Sequence, residues 1–126
     1  MHHSRLSTFV IDCETGAVDA AARFWGSALG RAVGVPHAGF DSYRDLASDP
    51  LEPCLMVQAV AHESRIHLDI ETDDQEAEVA RLEKLGATRV AQVKRWWVMQ
   101  APTGQKFCVV NPQRGPLTAE NSNRWE

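Results

Sequence analysis

Apolar and polar residues alternate along Arg65-Ile66-His67-Leu68-Asp69-Ile70-Glu71-Thr72, which predicts a strand with Ile66, Leu68 and Ile70 on one face. His67, Asp69 and Glu71 share the other face. Three titratable side chains in one row exceed what a packing strand needs, so this row is the first candidate for chemistry. Glu71, at the strand end, reads as a solvated or capping residue.

The pattern before this strand changes twice. Leu6 to Asp12 is β-rich and runs into the turn residues Asp12-Cys13-Glu14-Thr15-Gly16. From Ala17 to Leu29 the apolar positions Ala21, Phe24, Trp25, Ala28 and Leu29 recur at helical spacing, with Phe24 and Trp25 read as core, and Gly30 supplies a left-handed stop. Short strands are expected over 32–35, 40–47 and 54–61, separated by segments rich in Pro and Gly.

After Thr72, the Asp73-Asp74-Gln75 sequence signals a helix N-terminus, and Ala77, Val79, Ala80, Leu82 and Leu85 carry the helix to Gly86. Strands over 88–93, 96–101 and 105–110 follow, the last two joined by a Pro102-Thr103-Gly104 turn. The polar stretch from Asn111 onward runs over the surface, with Trp125 pinning it.

Composition narrows the class without naming a function. The chain has 126 residues, 44% hydrophobic and 24% charged, a range typical of one globular domain spanning 1–126. A net charge of −4 with scattered basic residues disfavours nucleic acid as the partner. No apolar run is long enough for a membrane span, and the start lacks the apolar segment of a secretory signal, so a cytoplasmic protein is expected. Cys13, Cys54 and Cys108 are odd in number and show no C-x-x-C spacing, which points to reduced thiols.

The two halves repeat each other. Asp12-Cys13-Glu14-Thr15 matches Asp69-Ile70-Glu71-Thr72, and Leu29-Gly30 matches Leu85-Gly86, a repeat of about 56 residues that occurs twice. Two βαβββ modules are therefore predicted, one over about 5–61 and one over about 65–112, with a tail from 113 to 126. The expected fold is α+β, with two curved mixed sheets around a cleft.

In this order and spacing the chain resembles the vicinal-oxygen-chelate superfamily, which includes glyoxalase I, extradiol dioxygenases and bleomycin-resistance proteins. The resemblance rests on Ala22-Arg23-Phe24-Trp25, Ala28-Leu29-Gly30, Arg65 to Asp69, Leu85-Gly86-Ala87 and Ala101 to Cys108. It implies a homodimer and a divalent-metal site at the positions of Val10, Gln58, His67 and Cys108. Val10 has no lone pair to give, Gln58 offers a neutral amide and Cys108 a soft thiolate, so a metal is not expected as a rule. Any ion, zinc or nickel, would rest on Gln58, His67 and Cys108.

The cleft read from these positions is apolar with a few polar groups, lined by Val10, Met56, Gln58, Cys108 and one of Trp96 and Trp97, which alternate to opposite faces. Three functions fit. The leading one is binding of a small organic molecule, in the manner of resistance or sequestration. The others are a metal-dependent lyase or isomerase acting on an α-oxo or enediol substrate, and metal-free acid–base catalysis by His67 with Asp69. For His67 the plain alternative is a polar residue bonded to Asp69, Gln58 or the backbone. Asp12 and Asp69 read most simply as partners of backbone groups or of Arg65 and Arg23.

Overall fold

The computed structural model describes all 126 residues. Eight strands and two helices combine parallel and antiparallel pairing, an α+β architecture. The chain divides into two compact units, one of residues 8–67 and the other of residues 1–7 with 68–126.

The first unit holds most of strand β1 (His2–Glu14), helix α1 (Val18–Leu29), and strands β2 (Tyr43–Leu46) and β3 (Cys54–Val60). It also holds the start of β4 (Arg65–Thr72). β3 runs parallel to β1, pairing Asp12 with Gln58, and β2 runs antiparallel to β3, pairing Tyr43 with Gln58. One sheet face packs under α1 through Ile11, Ala22, Leu46 and Val57, with Trp25 against them. Helix α1 ends at Gly30, whose φ of 67° only glycine adopts without strain.

Two details of this unit differ from the pattern-based expectation. The stretch 32–35 makes only an isolated bridge, Val33 to Leu46, and β2 is four residues long, because Pro and Gly on either side deny the chain ladder partners. Phe24 is exposed rather than core, since the α1 stripe that meets the sheet centres on Ala22 and Gly26 and turns Phe24 outward against Trp25.

The second unit holds helix α2 (Gln75–Lys84) and strands β5 (Thr88–Val93), β6 (Trp96–Gln100), β7 (Lys106–Val110) and β8 (Asn123–Trp125). The end of β4 and the start of β1 belong to it as well. From β4 the ladder continues through β7 and β6 to β5. Asp74 caps α2 by accepting from the Ala77 N–H at 3.0 Å, and Val79 and Leu82 pack on Ala87, Met99 and Val109. The hairpin between β6 and β7 closes through Ala101 N–H to Gln105 at 2.8 Å, with Gly104 at a φ of 96°.

Glu71 corrects the sequence reading. Its side chain is fully buried and meets Arg5 at 2.9 Å and Arg114 at 3.6 Å, because it lies inside the face of β4 that these two arginines cover. The tail is more ordered than a surface coil. β8 pairs antiparallel with His2–Ser4 of β1, and Trp125 donates to the Ser4 hydroxyl at 2.8 Å beneath the Arg81 guanidinium.

Candidate functional site

In the first unit, the sheet face opposite α1 carries a polar row running across the strands. Register places Asp12 of β1 beside Gln58 of β3, and Gln58 beside Tyr43 of β2, so the three side chains leave the same face at the same height. The inward turn of Val57 and Leu46 toward α1 fixes this orientation, since alternate residues must point the other way.

His67 extends the row from β4. Its Nδ1 lies 2.6 Å from Asp12 Oδ2, and the Asp12 carboxylate is 1% exposed. A carboxylate can only accept, so Nδ1 carries the proton and the lone pair of a neutral imidazole resides on Nε2. Arg65 Nε stands 3.6 Å from the same oxygen. Asp12 Oδ1 is buried with no hydrogen-bond partner, an uncommon condition for a carboxylate oxygen. At the far end, Gln58 Nε2 donates to the Tyr43 hydroxyl at 2.9 Å, turning the Tyr43 proton toward another acceptor.

Of the residues singled out from sequence, His67, Gln58 and Met56 share this face. Asp12 takes the His67 Nδ1 proton, the part assigned to Asp69 on pattern alone. The ion pair of Asp12 with Arg65 agrees with the sequence reading. Val10 shares the face but is 1% exposed, so no ligand reaches it in this conformation. Tyr43 was missed. The alternation Tyr43-Arg44-Asp45-Leu46, with Leu46 inward, was the signal that could have found it.

Behind the row, Cys13 faces α1. Burial raises its thiol pKa, contact with Trp25 partly opposes this, and the Asp12 charge adds to the rise. It is a packing residue rather than a nucleophile.

In the second unit, Asp69 and Cys108 are register partners on β4 and β7. Val98 pairs with Cys108, so Trp96 shares the Cys108 face, while Trp97 packs toward α2 with Arg89 over its ring. Along β4 and its neighbour β7, donor atoms of His67, Asp69 and Cys108 lie within 4.8 Å of one another.

A β1–α1 pairing repeated by β4–α2 is the arrangement of the glyoxalase/bleomycin resistance/dioxygenase superfamily, also called vicinal-oxygen-chelate. The chain belongs to the Glyoxalase-like domain family, whose model matches residues 8–110. Methylmalonyl-CoA epimerase from Mycobacterium tuberculosis is similar at a TM-score of 0.60 and 19% identity, over 86% of this chain and 87% of that one. The hypothetical protein BH1468 from Bacillus halodurans C-125 is similar at 0.62 and 11%, over 91% and 99%. A superfamily member from Vibrio splendidus 12B01 is similar at 0.55 and 14%, over 84% and 97%. At these identities the likeness is one of fold. No curated protein matches the sequence.

The fold family implies a divalent metal, and the donor chemistry here admits one of a particular kind. Val10 offers nothing, and Gln58, whose amide nitrogen donates to Tyr43, has only its neutral amide oxygen to offer an ion. His67, Asp69 and Cys108 supply an imidazole, a carboxylate and a thiolate, a set that suits zinc rather than magnesium or calcium.

Proposed function

We propose that this protein binds a small oxygen-bearing organic molecule on the Tyr43–Gln58–Asp12–His67 row and that His67 moves a proton on it. The observation that carries this reading is the 2.6 Å contact of His67 Nδ1 with a buried Asp12 carboxylate. A site that only sequesters a ligand has no need of an imidazole held in one tautomer by a buried charge. Asp12 steadies the imidazolium that forms when Nε2 accepts a proton, and it keeps the ring from rotating. Tyr43, already accepting from Gln58, is a donor for an oxygen on which charge develops. Met56, beside Gln58 on the same face, offers apolar contact.

The test is exchange of the acidic C–H of α-oxo acids and acyl thioesters with deuterated water, followed by mass spectrometry for the wild-type protein and His67→Gln. Exchange by the wild type that the variant loses supports proton transfer. Undiminished exchange in His67→Gln sinks it, and ligand-induced thermal stabilisation without any exchange would return the reading to sequestration of the resistance type.

The cluster on β4 and β7 favours a second reading, a lyase or isomerase with zinc on His67, Asp69 and Cys108. Such an ion would act as a Lewis acid toward a substrate oxygen, and Asp12 would orient His67 as a ligand rather than as a base. Metal content after purification without chelator separates the two, since about one zinc per chain that His67→Ala removes belongs only to the second. A homodimer and a cytoplasmic setting fit either reading.

A further inference from the structure

Alternation along β4 puts Arg65 on the same face as His67, so a cation stands beside the β4 end of the polar row. Its guanidinium and the His67 imidazole approach one atom. Arg65 Nε lies 3.6 Å from Asp12 Oδ2, and His67 Nδ1 lies 2.6 Å from the same oxygen. A group held by the guanidinium therefore sits next to the base of the row.

Most donors of Arg65 are uncommitted. A guanidinium carries five N–H groups, and at 3.6 Å the Asp12 oxygen is an ion-pair partner beyond hydrogen-bond reach. The other contact is a long one, from the terminal Nη2 to His62 Nε2 at 3.4 Å. His62 Nδ1 donates to the Glu63 carbonyl oxygen at 2.8 Å, so Nε2 offers a lone pair, an uncharged acceptor that steers the guanidinium without neutralising it. Glu63, two residues before Arg65, and Glu14, whose N–H bonds the Ser64 hydroxyl at 2.9 Å, are exposed and form no ion pair with it. Arginines elsewhere are satisfied by acids: Arg81 makes two bonds to Glu78, and Arg89 bonds Glu76 and Glu83. The Arg65 side chain is 44% exposed, so a solute can reach it.

We infer that Arg65 recognises a carboxylate on the substrate, which narrows the oxygen-bearing molecule of the row to an acid whose carboxylate lies close to the carbon that loses its proton. An α-oxo acid meets this description, and an unsubstituted acyl thioester does not. The planar fork of N–H donors matches the two oxygens of a carboxylate. A single arginine that already faces Asp12 balances one negative charge, so a doubly charged phosphate is the poorer match. This inference rests on the row being the binding face, but recognition is measurable without any proton transfer.

The probes are 2-oxobutanoate and 2-oxobutanamide, which differ at the carboxylate alone, titrated separately into the protein and followed by its amide chemical shifts. The wild type is expected to hold the acid about tenfold more tightly than the amide, the equivalent of one charge-assisted bond. Arg65→Gln is expected to bring the acid to the level of the amide and to leave the amide unchanged. A wild-type preference under about threefold, no measurable binding of the acid, or a preference that survives in Arg65→Gln overturns the assignment, as does an equal loss for acid and amide. Preference without C–H exchange would sink the proton-transfer reading alone, and exchange without preference would sink the recognition alone.

Discussion

Removing the Asp12 carboxylate tests the centre of the site most directly, and the size of the effect can be worked from its contacts. Asp12 accepts from His67 at 2.6 Å in a buried setting, a charge-assisted bond worth about 1.5–3 kcal/mol. Arg65 adds little, because its side chain is 44% exposed and stands 3.6 Å away, in the range where ion pairs give under about 1 kcal/mol. Against these gains stands the cost of burying Oδ1 without a donor, which Asp12→Ala relieves. The single variant should therefore lose only about 2 kcal/mol, roughly 8 °C in melting temperature for a chain of this size. Asp12→Asn keeps an acceptor for Nδ1 but drops the charge, and should lose about half as much.

The sharper quantity is the coupling. Urea unfolding of wild type, Asp12→Ala, His67→Ala and the double variant should give an interaction energy of about 2 kcal/mol. The Arg65 and Oδ1 contributions cancel in such a cycle, because they are present in both branches. A coupling below about 0.5 kcal/mol would mean the two side chains act independently, and the reading of Asp12 as the group that orients His67 would be wrong.

Other outcomes follow from the same contacts. Glu78 is desolvated, which alone would raise its pKa, but Arg81, His2 and Ser4 outweigh this and hold it below the usual glutamate value. Its stabilisation is therefore complete above the unfolded-state value and is lost as pH falls through the folded one, so thermal melts of Glu78→Gln should depend less on pH in the acid range than wild-type melts. A Cβ on Gly26 would stand 2.7 Å from the Arg31 carbonyl oxygen, a backbone atom, so Gly26→Ala should lower stability by about 1–3 kcal/mol in urea despite the higher helix propensity of alanine. Trp125→Ala removes the ring under Arg81 and the donor to Ser4, and should speed amide exchange at His2–Ser4 while leaving Leu55–Ala59 unchanged.

Much of the fold was legible because its elements carry strong local signals. The Asp74 cap, the glycines after both helices and the Pro102–Gly104 turn each specify a backbone conformation by short-range chemistry, and each formed as read. Strand alternation also separated Trp96 from Trp97 correctly, though which of them shares the Cys108 face came only from the register of β6 and β7. What the pattern did not carry was which side chains meet across strands. Asp12 and His67 are 55 residues apart, and alternation gives the face of each but not the stagger that brings a carboxylate to a ring nitrogen. Glu71 was misread for the same reason, since Arg5 and Arg114 reach it from the two ends of the chain.

Three buried carboxylates show how the kind of partner separates scaffold from site. Glu78 has both oxygens engaged, Oε1 by His2 and Arg81 at 2.8 and 2.7 Å and Oε2 by Arg81 at 2.9 Å. Such a group is locked, and its role is to tie α2 to the start of β1. Glu71 holds Arg5 on Oε1 and has Arg114 near Oε2, so its charge is matched by two cations and its side chain cannot turn. Asp12 differs from both in the partner that holds it. Its one short bond goes to a histidine that can change charge, and its second oxygen, like Oε2 of Glu71, has no donor. A buried acceptor left open costs free energy, which Glu78 avoids by adding Ser4 as a donor and which at Glu71 is offset by the charge of Arg114. The cost is explicable if Asp12 must respond to the charge on His67, since a carboxylate fixed by arginines would hardly register a proton arriving on the ring. Placing a donor beside Oδ1 should therefore stabilise the fold and impair exchange together, whereas the same change at Glu71 or Glu78 would affect stability alone.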